Sequence, residues 1–399
     1  SGVTPSMIRS ARLIAALSTP ALLLASCANA ETGESAAQSG EISATTGPAY
    51  PFKTTDVAGF EEPWAMAFAP GTATLFVTEK AGTVKLLDTK TGQTATVTGA
   101  PTVDYGGQGG LGDIAFLPAE AASTLGTRTI YLSWVEAGEG DTRGAAVGKG
   151  KLVCSAPTAC AIEGLSVIWR QTPKVTGRGH YSHRLAFSPD GKYLYVASGE
   201  RQKMQPAQDT GVTLGKIVRL NLDGSPAAGN PMADKGGVTA EIWSYGHRNI
   251  LGMGWDSQGR LWEVEHGPAG GDELNLVLPG ANYGWPIRSN GEHYNGDPIP
   301  DHEPSDGFAQ PALSWNPVIA PGGMIFYTGD QFPAWKGHAL MTGLATQSLV
   351  DVAIQGDKAR EVARHEFDSR LRAIAQGPDG AIWVAQDGKG ARLLKLTAK

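Results

Sequence analysis

The stretch GRGHYSHR, Gly177 to Arg184, sets two histidines and two arginines within eight residues, immediately before the apolar run LAFS. Such groups at the start of a strand can move protons or hold anions; a solvated loop is the simpler alternative. His180 is the candidate general base, because an imidazole with an ordinary pKa of about 6.5 accepts a proton at neutral pH. Glu200 is placed to orient that ring. We read His183 as structural or as a substrate contact. Arg370 and Arg372 alternate at period two, so in an extended strand both point to one side and present two guanidinium forks. With Arg248 they suit a planar polycarboxylate, surface ion pairs being the alternative for any one of them.

The elements that must position these groups recur along the chain. Apolar segments leading into a turn appear as AMAFAPG from Ala65, DIAFLPA from Asp113, RLAFSPDG from Arg184, GMGWDSQG from Gly252, GMIFYTGD from Gly323 and AIAQGPDG from Ala373. Most are followed by a second β-rich run, such as TLFVTE or KYLYVASGE, so each unit contains a hairpin with Pro, Asp or Gly at its turn. Starts roughly 50 to 70 residues apart leave room for a four-stranded blade and one variable loop. An all-β, six-bladed β-propeller is the economical reading; a double β-sandwich or two β domains are the alternatives. Counted from the turn near Asp190, His180 lies about ten residues before it and Glu200 about ten after, which puts both at the same end of an antiparallel hairpin. The same count brings Arg248, the segment His266 to Glu273, Arg370, Arg372 and Gln108 to that rim.

Composition narrows the partners. With 41% hydrophobic and 18% charged residues, 399 residues can bury a large core, and 53 glycines favour β structure. A net charge of −6 without a basic stripe argues against nucleic acid and leaves small molecules as the default ligand.

Residues 1–30 read as an export address: Arg9 and Arg12 precede an apolar stretch, Leu13 to Leu24, too short to span a bilayer. Ser1 to Ser6, ahead of a natural-looking start at Met7, are set aside. LASC, Leu24 to Cys27, resembles a bacterial lipobox, which favours a lipid anchor on Cys27 over cleavage after Ala30. Residues 31–50 are low in apolar content and suit a flexible tether, leaving 51–399 for the propeller. Cys154 and Cys160 fit neither a redox pair nor a zinc site, and we expect a local disulfide in an oxidising, periplasmic compartment.

In order along the chain, HYSHRLAF, SGERQKMQPAQD with LGKIVRLNLDG, SYGHRN, EHGPAGGDELN, NYGWP, IAPGGMIFY and the closing RLR carry a resemblance to soluble pyrroloquinoline quinone (PQQ) dependent sugar dehydrogenases. These are the glucose/sorbosone dehydrogenases and, within them, the bacterial aldose sugar dehydrogenases. The resemblance implies a propeller enzyme holding PQQ and calcium above its central channel and oxidising aldoses at C1 to the lactone. An external acceptor (a quinone, cytochrome or dye) would take the electrons. By motif match, His180 resembles the catalytic base and Arg248 the residue polarising the quinone, with Asn249 beside it. Arg370 and Arg372 resemble the pair binding the PQQ carboxylates. Gly267 and Pro268 match carbonyl ligands of calcium, Asp272 a cofactor-side acid, and Glu273 and Tyr283 ligands of a second calcium. Gln108 matches a substrate-side glutamine. His266 stands where some relatives have glutamine, and His183 where a small residue is common. Ala345 or an uncharged neighbour stands where a lysine often reaches PQQ, which implies altered cofactor affinity. A calcium-dependent propeller lactonase and a non-catalytic sugar- or protein-binding propeller are the rival readings.

Overall fold

A computed structural model describes residues 49–399. The leader, the lipobox at Cys27 and most of the tether lie outside the described residues.

Six four-stranded antiparallel sheets follow one another along the chain. Their innermost strands are Pro63–Phe68, Leu111–Phe116, Ser182–Phe187, Ile250–Trp255, Pro321–Phe326 and Leu371–Gln376. Each of these touches the next, and the last touches the first, so the sheets close into a ring as the blades of a six-bladed β-propeller. We number the blades one to six in that order. All six apolar repeats of the sequence fall on these innermost strands, each of which must be covered on both faces by neighbouring blades. The sixth blade is completed by the first strand of the fold, Phe52–Phe60, which pairs with the last, Ala391–Ala398. The closure buries Phe52 and Phe60 and ties the two ends of the domain together.

Between blades the core is aliphatic and aromatic: Phe76, Phe116, Ile130, Leu132 and Trp134 form one such layer between the first two. Cys154 and Cys160 are disulfide-bonded across the end of the long second-blade hairpin, as expected.

One feature recurs at the same end of every blade. The pairing of each innermost strand with the second slips at its start, between Pro63 and Ala65, Leu111 and Ile114, Ser182 and Leu185, Ile250 and Gly252, Pro321 and Gly323, and Leu371 and Ala373. Such bulges bend a strand and re-aim its side chains. Here they lie at the cavity end of the blades, where Trp64, Ser182, His183, Leu251 and Arg372 of these bulges line an axial cavity.

Candidate active site

A cavity of about 390 Å³ opens on the axis at the bulged end of the blades. Its wall includes Gln108, His180, Arg248, Asn249, His266, Arg370 and Arg372, all singled out from sequence. No Asp or Glu among the described residues lines it, whereas four cations do: Arg248, Arg370, Arg372 and Lys80.

His180 and Glu200 meet because of the hairpin register. Ser182 pairs with Ser198, so two residues beyond that pair His180 and Glu200 stand opposite each other. Nδ1 of His180 is hydrogen-bonded to Oε1 of Glu200. The approach needs Gly199, where a Cβ would lie 1.8 Å from the His180 carbonyl oxygen. Glu200 also accepts from the backbone N–H groups of Gln202 (2.6 Å) and Met204 (2.8 Å) and from Nε1 of Trp285 (3.2 Å). Burial works to raise its pKa, but these bonds and the one to His180 outweigh it and hold the carboxyl below its usual range. A carboxylate at Nδ1 accepts a hydrogen bond from Nδ1–H, which keeps the proton on that nitrogen and leaves Nε2 as the basic atom. Burial, helped by Arg248 and Arg201 and opposed by Glu200, lowers the His180 pKa, so the ring is neutral at pH 7.

The backbone around this pair is strained. Of nine non-glycine residues with positive φ among those described, six flank it: His180, Ser182, His183, Arg201, Gln202 and Met204. Left-handed conformations of this kind cost roughly 1–2 kcal/mol per residue and persist only where surroundings enforce them. The His180 N–H donates to Oε1 of Gln108 at 2.9 Å, Ser182 N–H and Oγ both donate to Oδ1 of Asn249 at 3.2 Å, and Ser133 Oγ donates to the His183 carbonyl at 2.7 Å. The guanidinium of Arg201 binds the carbonyls of Gly177 and Gly179 and lies 4.1 Å over the Tyr181 ring. Gln108 and Asn249 thus also hold the segment that carries His180.

Across the cavity, Nη1 of Arg248 donates to the carbonyls of Gly267 (2.7 Å) and His266 (3.2 Å), Nη2 reaches the Tyr294 hydroxyl (3.3 Å), and buried Nε has no partner. Its backbone N–H is held by Glu265 at 2.7 Å. His266 shares a hydrogen with the Pro321 carbonyl at 2.6 Å, and burial draws its pKa down to about 3, so this ring is neutral. Arg370 and Arg372 share one carboxylate, Asp387, at 3.3 and 3.0 Å. They do face one side, as their spacing requires.

Other sequence candidates stand behind the wall. Asp272 receives the N–H groups of Gly267 (2.7 Å) and Ala320 (2.8 Å), and burial lifts its pKa to about 6; it shapes the loop that presents the Gly267 carbonyl and is absent from the cavity lining. Pro268 is buried in that loop. Glu273 is bound by His302 at 3.0 Å and Asn275 at 3.2 Å. The Tyr283 hydroxyl donates to the Leu276 carbonyl at 2.5 Å. Its ring stacks on His247, whose ligand atom lies within 4.8 Å of carboxylate oxygens of Glu263 and Glu265. Sequence reading missed this buried acid–histidine group, Lys80, Trp64 and the Tyr294 rim. The period-two spacing of Glu263 and Glu265, in the strand ending at EHG, was the available signal. His183 does line the cavity, but its ring packs on Trp64 (centroids 4.8 Å) and its Nδ1 is buried without a partner.

Fold and site together define a propeller enzyme that presents a neutral, carboxylate-paired histidine beside a cation-walled cavity. The chain belongs to the Glucose / Sorbosone dehydrogenase family, whose model matches residues 60–395, and it is an oxidoreductase acting on sugars. It is 37% identical over 345 residues to the aldose sugar dehydrogenase YliI of Escherichia coli (strain K12), covering 85% of this chain and 91% of that one. The apo crystal structure of the soluble E. coli aldose sugar dehydrogenase superposes with a TM-score of 0.80 at 35% identity, covering 87% of this chain and all of that one. A PQQ-bound aldose sugar dehydrogenase from Streptomyces coelicolor superposes at 0.69 with 28% identity, covering 88% and 99%.

Proposed function

We propose that the protein oxidises aldoses at C1 to the lactone with PQQ and calcium, passing electrons to an external acceptor. The observation that carries this reading is the cavity itself: four cations and no acid on the wall, next to a histidine whose basic nitrogen is set by a carboxylate. The donor set fits the groups. Guanidinium and ammonium groups match a planar tricarboxylate, and the carbonyls of Gly267 and Pro268 offer the hard oxygens that calcium takes. When bound, PQQ supplies a two-electron acceptor for the C1 hydride, and calcium a positive charge at its edge.

The chain's own residues do the rest. Nε2 of His180 takes the proton of the anomeric hydroxyl, a role that typically contributes 10²- to 10⁴-fold. Glu200 keeps the ring turned and stabilises the imidazolium. Arg248, with an unpartnered Nε, offers a donor toward developing negative charge. Arg370, Arg372 and Asn249 hold the cofactor side, and Gln108 the sugar side. Lys80, with its Nζ on the Gly107 carbonyl, restores a cation that the uncharged Leu344–Ala345 segment does not provide. A second cation at Glu273 would rest on the neighbouring carboxylates, since the Tyr283 hydroxyl is committed to backbone. A lactonase would instead need a carboxylate-dominated metal site at the cavity.

The test is reconstitution. Purified protein should reduce a redox dye with aldoses only when PQQ and calcium are both supplied, and a chelator added beforehand should block it; activity without PQQ would overturn the reading. We further propose export and a lipid anchor on Cys27. No helix of the described residues is long and apolar enough to cross a membrane, so retention would depend on acyl chains. Cys27→Ala should move the protein from the membrane to the soluble fraction, and a fully soluble wild type would contradict the anchor.

A further inference from the structure

GRGHYSHR ends in a residue that the proposed mechanism does not use. Arg184 is buried on the propeller axis, beneath the cavity. Its Nε donates to the Leu251 carbonyl of blade four at 2.8 Å, and Nη2 donates to the Gly322 carbonyl of blade five at 2.5 Å and to the Trp64 carbonyl of blade one at 3.3 Å. Nη1 stands 3.7 Å from Asp113 of blade two, and the guanidinium lies 3.9 Å over the Trp64 ring. One side chain of blade three thus touches four other blades. Blade six is one step away, because Gly322 packs so tightly on Arg372 that a Cβ there would lie 2.5 Å from its carbonyl oxygen.

Each contact sits next to a residue of the site. Leu251 is two residues beyond Asn249. Gly322 follows Pro321, whose carbonyl holds His266. Trp64 lines the cavity, and Arg184 itself follows the strained segment carrying His180 and His183. Asp113, the fourth partner, accepts the Leu185 N–H at 2.8 Å and so fixes the strand from the other side. Below Arg184 lies a second axial cavity of about 170 Å³, lined by Arg184 and Asp113; Leu251 borders both cavities. A guanidinium presents donors in a fixed planar fork and can serve three carbonyls from one position, which an ammonium on a flexible stem cannot.

We propose that Arg184 is a positioning residue for sugar oxidation: an axial key that fixes the base of blade three relative to the cations of blades four and six, and separates the cavity from the axial space below. Its kinetic consequence rests on the proposed function; its structural consequence does not. Misplacing reacting groups by about 1 Å can cost about 10²-fold in rate.

The experiment compares Arg184→Lys and Arg184→Met with Arg128→Met. Arg128 is equally suited as a control: it is buried, and its guanidinium binds the carbonyls of Leu125, Pro70 and Thr124 at the opposite rim. In the apo proteins, amide hydrogen exchange should quicken in Arg184→Lys at residues 180–185, 249–252 and 320–323 together, and at none of them in Arg128→Met. With PQQ, cofactor affinity should fall at least about tenfold and cofactor reduction by sugar should slow toward 10²-fold in the Arg184 variants alone. If Arg184→Met does not fold, Arg184→Lys decides. Exchange confined to blade three, or equal losses in Arg128→Met, would overturn the proposal. Failure of wild type to bind PQQ would instead overturn the function reading and leave the exchange test standing.

Discussion

The third-blade and sixth-blade rims face each other across one cavity and are built in opposite ways. On the third blade, His180 and Glu200 are almost wholly buried, and their flanking backbone is held in left-handed conformations by side chains from two other blades. On the sixth, Arg370 just precedes the innermost strand and Arg372 lies in its bulged start, neither with a positive φ; they share a single carboxylate, and Arg370 is half exposed, with 52% of its side chain open. Under the proposed function, the difference separates two tasks. Proton transfer needs one nitrogen in one place, so the protein invests strain and burial there. Holding a multiply charged ligand needs net charge and reach, which the sixth rim provides without a left-handed residue.

Four predictions would break or sharpen that contrast. The largest effect is expected at the unstrained rim: replacing both Arg370 and Arg372 by alanine should weaken PQQ binding by about 3–6 kcal/mol, if each charge-assisted contact is worth roughly 1.5–3 kcal/mol. Affinity should also fall with salt in wild type. Equilibrium titration at two ionic strengths measures both, and unchanged affinity in the double variant would remove the anionic-ligand account.

Next is the acid dependence of stability on the strained side. His183 is fully buried, and burial, with Arg184 and Arg201 nearby, pulls its pKa down to about 3. The unfolded chain binds a proton near pH 6.5 that the folded chain refuses, so this contribution is complete above pH 6.5 and is lost as pH falls toward 3. The loss approaches about 1.4 kcal/mol per pH unit in that window. Denaturant melts from pH 7 to 4.5 should show a shallower acid slope in His183→Gln than in wild type; identical slopes would mean His183 is protonated in the fold.

The smallest effect concerns strain alone. Met204, at φ 63° and ψ −78°, is 41% exposed, so glycine there should relieve backbone strain with little packing loss. Met204→Gly should hold or raise stability by up to about 1 kcal/mol without moving the rate of sugar oxidation. A clear loss of stability would show that its conformation is not strained.

Much of this was readable from the chain, and the reasons are local. The six apolar repeats mark the innermost strands because each such strand is covered on both faces, and the turn counts placed His180 opposite Glu200 because hairpin register is set by short-range sequence. The period-two spacing of Arg370 and Arg372 likewise gave their common side. What escaped depends on distance in sequence. The first strand completing the sixth blade pairs Phe52 with Ala398, a partnership no local pattern encodes. Arg184 looks like one more rim cation until the carbonyls of three other blades are seen around it. Asp272 and Glu273 fall in the right segment but behind the wall, Asp272 turned to the N–H groups of Gly267 and Ala320 and Glu273 to His302 and Asn275, while Tyr283, beyond that segment, stacks on His247. The bulges that open all six innermost strands have no signature in the repeats.

The central claim is that His180, rather than His183, removes the sugar's proton. Stopped-flow reduction of bound PQQ by an aldose, followed from pH 5 to 8 in wild type, His180→Gln and His183→Gln, tests it most directly. Because the folded His180 pKa lies below its ordinary value, the wild-type rate should hold as pH drops through about 6.5 and fall only further down. His180→Gln should still bind PQQ but be slower by about 10²- to 10⁴-fold, without that acidic limb, and His183→Gln should lose far less. Near-wild-type reduction in His180→Gln, or a larger loss in His183→Gln, would contradict the account.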